Sequence, residues 1–342
     1  MLGQENRRTQ SAEVPLRLTV AHSAEEWARK FGELRARTVV TVGNFDGVHL
    51  GHQKILQAVD DRCALWVNPP ERPKVSIPAV LTFYPHPARV VRPESAPPLL
   101  MTLEQRLAAF EKAHIHAALV LRFDRELAQV GPEDFARRYL VETMRAEAVF
   151  VGPNFRFGHR QAGDVKLLRE FGTRWDFEVD VVSPVAIDGV LVSSTAIREA
   201  LRDGRVEDAR TLLGRPYALA GKIHPGTGQG RRLVVPTLNL ATAQELLPKL
   251  GVYATEVVLE GKTYSAATNV GVRPTFDGTA TTVESHLLDF DETLTTGPME
   301  IHFLTRLRDE QKFPNPQALR VQVLHDIDQA RKYFRLTNSV HK

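Results

Sequence analysis

Cysteine is almost missing from this sequence: Cys63 is the one thiol in 342 residues. A lone cysteine forms no intrachain disulfide and no cysteine zinc cluster, and it suits a reducing compartment. Aromatic residues are sparse at 7%, and the net charge is only +3. Such a balance is compatible with anionic small molecules but lacks the concentrated basic stripe of a nucleic-acid binder. No apolar run approaches the roughly 18 residues that a membrane span requires. The opening segment MLGQENRRTQSAEVPLRL carries arginines without a following apolar stretch, so no secretory signal is expected. Residues 1–15 read as a polar arm with no assigned role. These absences lead to the expectation of a cytoplasmic protein that engages neither membrane nor nucleic acid.

What is present is an ordinary globular balance, 43% apolar and 25% charged, in a chain long enough for two domains. From Thr38 to about Arg198, short apolar runs alternate with amphipathic stretches. TVVTVG, SIPAVLTFYPHP, AALVLRF, EAVFVG and FEVDVVSPV read as strands. GHQKILQAVDDRC, TLEQRLAAFEKAH and PEDFARRYLVETM read as helices. That alternation implies an α/β fold, a parallel sheet with helices on both faces. STAIREALRDGRVEDARTLLG then reads as helical, stopped by Gly214-Arg215-Pro216. The segments beyond it are short, alternating and separated by glycine turns, which implies a small antiparallel barrel or sandwich closed by a terminal helix. The expected boundary lies near Ala200, giving domains 16–200 and 201–342.

GNFDGVHLGH, residues 43–52, follows the first strand of the series. In open parallel sheets ligands bind at the carboxyl ends of strands, beside helix N-termini. Gly43 and Gly47 let backbone approach a bulky ligand, and His49 and His52 stand three apart at a helix start. Two imidazoles there can donate to charge that develops on a phosphate. Helix capping is the plainer alternative, and a zinc reading lacks a third ligand. Two further stretches point to the same end of the sheet: VGPNFRFGHRQAGD, with Asn154 and Arg156, and VSSTAIR, with Ser194, Thr195 and Arg198.

In the second half, Gly226, Gly228 and Gly230 lead into a strand-like segment and not a helix, so a dinucleotide fingerprint fails its own context. A flap over phosphates or a plain hairpin loop remain as readings. Thr237 and Asn239 alternate on one strand face and offer a hydroxyl and an amide oxygen, hard donors that suit Mg²⁺. Glu284 is either a solvated strand residue or the general base for a substrate hydroxyl.

The ordered motifs GNFDGVHLGH, FYPHP, NFRFG and SSTAIR, followed by LLGRPY, GVYA, NVGVRPTF, VESHLLDF and LRDEQKF, resemble the bacterial bifunctional riboflavin kinase/FMN adenylyltransferases. The resemblance spans roughly residues 38–334. It implies a Rossmann-like nucleotidylyltransferase domain followed by a six-stranded barrel with a terminal helix. It implies two ATP-dependent activities, riboflavin to FMN and FMN to FAD with release of pyrophosphate. By this likeness His49 and His52 act at the α-phosphate, and Ser194, Thr195 and Arg198 hold the leaving phosphates. Gly43, Asn44, Phe45, Asp46, Gly47 and Asn154 are expected at the nucleotide, with Gly226, Gly228 and Gly230 at that of the kinase. Phe83, Pro85, His86 and Pro87 are expected at one flavin, and Asn269 and Arg273 at the other. Thr237 and Asn239 would hold Mg²⁺, and Glu284 would be the kinase base.

The family pattern near GRxLGFPTAN departs here at Val234 and Leu238. That departure motivates an alternative, an adenylyltransferase with a degenerate flavin-binding barrel. A barrel gripping RNA ranks last, because GKIHPGTGQGRR is basic without interleaved aromatics. The expected partners are riboflavin, FMN and ATP, and self-association stays open.

Overall fold

A computed structural model describes residues 17–33, 36–66, 76–224, 235–275, 278–290, 292 and 294–340. The chain divides into two compact units. Met1–Phe45, Gly51–Pro97 and Arg106–Pro184 form the first, while Asp46–Leu50, Pro98–Gln105 and Val185–Lys342 form the second.

The first unit is built on a six-stranded parallel sheet. Its strands are β1 (Thr19–Ala21), β2 (Arg37–Val42), β3 (Ser76–Tyr84), β4 (Ala117–Arg122), β5 (Ala146–Val151) and β6 (Glu178–Val181), in the order β1-β4-β3-β2-β5-β6. Five of six residues in each of β2, β4 and β5 are buried, as expected of strands inside a covered parallel sheet. The strand order reverses beside β2, so its carboxyl end, where GNFDGVHLGH begins, is a topological switch point. The helix read from PEDFARRYLVETM starts at Pro132 and widens over Ala136–Thr143, where Met144 N–H donates to Tyr139 O, five residues back, at 3.0 Å.

In the second unit, the single helical stretch expected after Val192 is two helices, Ser194–Asp203 and Val206–Leu213. Gly204 breaks them at φ +81°, a left-handed C-cap that glycine adopts without a Cβ penalty. The hairpin β7 (Ala186–Ile187) and β8 (Val190–Leu191) precedes them.

The barrel comprises β9 (Tyr217–His224), β10 (Leu238–Ala241), β11 (Gly251–Leu259), β12 (Lys262–Thr275), β13 (Gly278–Leu287) and β14 (Pro298–Asp309). It is antiparallel and closed, and the choice between barrel and sandwich is thereby decided. Closure leaves no free edge strand. Tyr253, Val257, Val270, Ile301 and Phe303 fill its core. The terminal helix Pro316–Val340 buries Ile327, Ala330 and Phe334. Arg308 fixes that helix by donating from Nε and Nη2 to the buried Asp326 carboxylate at 2.7–3.1 Å.

Candidate active sites

The turn after β2 is wound through left-handed backbone. Phe45, Gly47 and Val48 have φ of +51°, +89° and +38°. Left-handed non-glycine residues cost about 1–3 kcal/mol each and persist where their surroundings hold them. In the first unit, Phe45 is held by its own ring, which is 2% exposed. That ring stands edge-on to Phe110 at 5.4 Å and 5.0 Å from the ring of His52. A side chain at Gly43 would meet the Phe45 ring at 3.1 Å, so glycine leaves room for it.

Arg106, buried, donates to Asn44 O at 2.5 Å, Thr82 Oγ1 at 3.3 Å and Phe83 O at 3.1 Å. It thus ties the carboxyl ends of β2 and β3. FYPHP lies at that end of β3. Phe83 packs edge-on to Phe123, and His86 Nδ1 accepts from Ala88 N–H to cap the short helix Pro87–Val91. Asn154 is exposed in the loop after β5.

The other half of the turn belongs to the second unit. Asp46 is buried and ion-paired with Arg198, and it accepts from Leu100 N–H at 3.0 Å. Ser194 Oγ donates to Asp46 O at 2.8 Å, and Arg198 Nε donates to Pro98 O at 2.8 Å. Ser193, not Ser194, is the N-cap of the helix Ser194–Asp203, while Thr195 is exposed on its first turn. Ser194 and Arg198 are therefore engaged with the turn itself. His49 precedes the helix Leu50–Trp66, and His52 lies in its first turn. Burial pushes the His49 imidazole down to about 4, and the nearby charges of Arg215 and Arg198 act in the same direction. His49 is neutral at physiological pH.

In the barrel, β10, β13 and β12 are neighbours, and Asn239, Glu284 and Asn269 occupy one cross-strand row. Directly paired residues share a face, so an amide flanks the carboxylate on each side. Thr237 lies two residues before Asn239, and His286 Nδ1 lies 2.9 Å from Pro236 O, tethering that approach to β13. Three hydroxyls on β11, β12 and β13 form a buried ladder. Thr255 and Thr268 are 2.6 Å apart, and Thr268 and Ser285 are 2.8 Å apart. Ser285 and Thr237 also line a cleft with Leu238, Leu287, Phe290 and Leu294. Gly226, Gly228, Gly230, Val234 and the side chain of Arg273 lie outside the described residues.

Three polar side chains that bond main chain distant in sequence escaped the sequence reading. Arg106 stands at helical spacing between Leu103 and Phe110, a cation on an apolar face, and that was its legible signal. Arg215 read only as part of a helix stop. Gln244 gave no signal, yet its buried amide accepts from Ala220 N–H at 3.0 Å and donates to Leu100 O at 3.1 Å.

Two family models match the chain. The model described as FAD synthetase matches residues 32–196, and the one described as riboflavin kinase matches 213–334. The class is therefore that of a two-module flavin nucleotide-forming enzyme. The bifunctional riboflavin kinase/FMN adenylyltransferase of Haemophilus influenzae is 33% identical over 86% of this chain and 94% of its own. That of Escherichia coli K12 is 34% identical over 87% and 93%. A crystal structure named as a macrolide-efflux protein from Streptococcus pneumoniae superposes with TM-score 0.78 at 25% identity, covering 92% of this chain and 98% of that one. This chain belongs to the bifunctional riboflavin kinase/FMN adenylyltransferase family. Among the described residues no helix is long and apolar enough to cross a membrane.

Proposed function

We propose that the chain carries out both reactions in succession in the cytoplasm: it phosphorylates riboflavin with ATP to FMN, then adenylylates FMN with a second ATP. The adenylyl transfer is assigned to residues 16–200 and the phosphorylation to 201–342. The family-model ranges support that assignment. The degenerate-barrel alternative is not favoured, because the riboflavin kinase match runs through the barrel and terminal helix.

For phosphorylation, Glu284 takes the proton of the ribityl 5′-hydroxyl as that oxygen attacks the γ-phosphorus of ATP and ADP leaves. The carrying observation is the row Asn239–Glu284–Asn269, which sets the carboxylate between two amides on one face. Asn239 and Thr237 offer neutral oxygens beside that carboxylate. A hydroxyl and an amide oxygen, completed by substrate phosphates and water, fit Mg²⁺. The ion would neutralise phosphate charge, and Thr237 and Asn239 would hold it. Asn269 and Arg273 are assigned to the flavin, and Gly226, Gly228 and Gly230 to the phosphates of ATP.

For adenylyl transfer, an oxygen of the FMN phosphate attacks the α-phosphorus and the bond to pyrophosphate breaks. No covalent nucleophile is needed, so positioning and charge stabilisation carry the reaction. A neutral His49 presents one ring N–H to the α-phosphate, and His52 a second. Thr195 is assigned to the departing phosphates directly, and Ser194 and Arg198, both bonded to Asp46, are assigned to them through the turn they hold. Gly43, Asn44, Phe45, Asp46, Gly47 and Asn154 frame the nucleotide, and Phe83, Pro85, His86 and Pro87 the flavin. Leaving-group analysis tests the pair: riboflavin should release ADP from ATP first, and FMN should release pyrophosphate. ADP as the product with FMN alone would contradict the second step.

A further inference from the structure

Arg215 lies within the segment matched by the riboflavin kinase model, but its side chain serves the other motif. Nη2 donates to Gly47 O at 2.7 Å and Nη1 donates to Val48 O at 3.0 Å. Nη1 also reaches Leu213 O at 3.3 Å. The two carbonyls belong to consecutive residues in the left-handed turn, immediately before His49. A guanidinium is a rigid planar fork, so two donations to successive carbonyls fix the orientation of both peptide planes. Val48 at φ +38° is the kind of strained residue that needs such an outside restraint.

Burial lowers the pKa of Arg215, but an arginine stays cationic at neutral pH. Its charge bears on His49, the imidazole that follows the turn. We infer that Arg215 is a positioning residue for adenylyl transfer: it holds the Gly47–Val48 backbone so that His49 meets the α-phosphate in reacting geometry. One module's sequence thereby supplies a part of the other module's site. With both Nη groups engaged by main-chain carbonyls, Arg215 acts through His49 and not on phosphate. This inference rests on the reading of His49 as a phosphate donor.

The test uses the full chain with Mg²⁺, ATP and either flavin, comparing Arg215→Met, Arg215→Lys and His49→Ala. Arg215→Met should lower kcat for FAD formation by about 10- to 100-fold, the scale of a small misplacement of a catalytic group, with KM nearly unchanged. FMN formation from riboflavin should stay near wild type. The His49 ring, followed by NMR, should titrate at higher pH once the neighbouring positive charge is gone. Arg215→Lys keeps the charge but loses the fork, so it should leave the His49 titration in place and still lower kcat. Parallel loss of both activities in Arg215→Lys would make Arg215 merely structural and overturn the inference, and it decides the matter if Arg215→Met fails to fold. Unchanged FAD formation in both variants would overturn it too. If His49→Ala itself forms FAD normally, the reading of His49 fails instead.

Discussion

Arg198 and Asp46 form an ion pair whose side chains are only 8% and 6% exposed. Both ends are further committed to main chain, Asp46 to Leu100 N–H and Arg198 to Pro98 O. Removing one partner of such a pair strands a buried charge, which typically costs about 3–5 kcal/mol. Asp46→Ala should therefore destabilise by that order in urea denaturation followed by circular dichroism. The double variant Asp46→Ala/Arg198→Met should recover part of the loss. Equal stability of wild type and Asp46→Ala would show that the pair does not hold the turn.

His49 gives the protein a pH signature. In the unfolded chain its imidazole protonates near 6.5, whereas burial holds the folded value at about 4. Its contribution is complete above the unfolded value and is lost as pH falls from about 6.5 towards 4. The loss is on the order of 3 kcal/mol by proton linkage. His49→Gln should flatten the stability curve over that window. A His49 ring that titrates near 6.5 in the folded protein would contradict the burial argument.

Gly47 combines φ +89° with a close neighbour, since a Cβ there would lie 2.7 Å from Leu100 Cδ1. The Leu100 terminus can rotate aside, but the left-handed backbone still costs an L-residue about 1–2 kcal/mol. Gly47→Ala should lower the melting temperature modestly and FAD formation more severely, because the same carbonyl holds Arg215. FMN formation serves as the internal control.

Much of this architecture is readable before any coordinates. β4 is an apolar run and β2 a β-branched run ended by Gly43, as expected where both faces of a covered parallel sheet are buried, and such short runs stand out. β1 does not, because three residues carry no period. The break at Gly204 hides inside a stretch whose helical spacing continues on both sides. Barrel closure depends on β9 finding both β10 and β14, a matter of register that local pattern does not encode.

The site divides the same way. His49 and His52 stand out by their spacing after a glycine turn, whereas the hydroxyls of VSSTAIR read as a plain helix cap when taken alone and Glu284 is singled out only through the family resemblance. The meeting of Asn239, Glu284 and Asn269 depends on strand register across intervening loops. Arg106, Arg215 and Gln244 act on main-chain groups distant in sequence, and a main-chain carbonyl leaves no mark on residue identity.

The hydroxyl ladder inside the barrel makes a separate stability prediction. Thr255, Thr268 and Ser285 are fully buried and linked in a row. Thr268→Val keeps the shape but deprives both neighbours of a partner, which costs about 1–3 kcal/mol for buried polar groups left unsatisfied. Differential scanning calorimetry should register the drop, and no change in melting would mean the hydroxyls bond elsewhere.

Two separable sites, one acting through Glu284 and the other through His49, should make FMN and then FAD. The direct measurement is chromatography of flavins formed over time from riboflavin or from FMN, with Mg²⁺ and ATP, by wild type, Glu284→Gln and His49→Ala. Wild type should make FAD from either start. Glu284→Gln should lose about 10²- to 10⁴-fold in FMN formation, the usual worth of a general base, and still convert supplied FMN to FAD. His49→Ala should accumulate FMN from riboflavin and make little FAD from either start. Loss of both steps in each variant, with the fold intact, would contradict the claim.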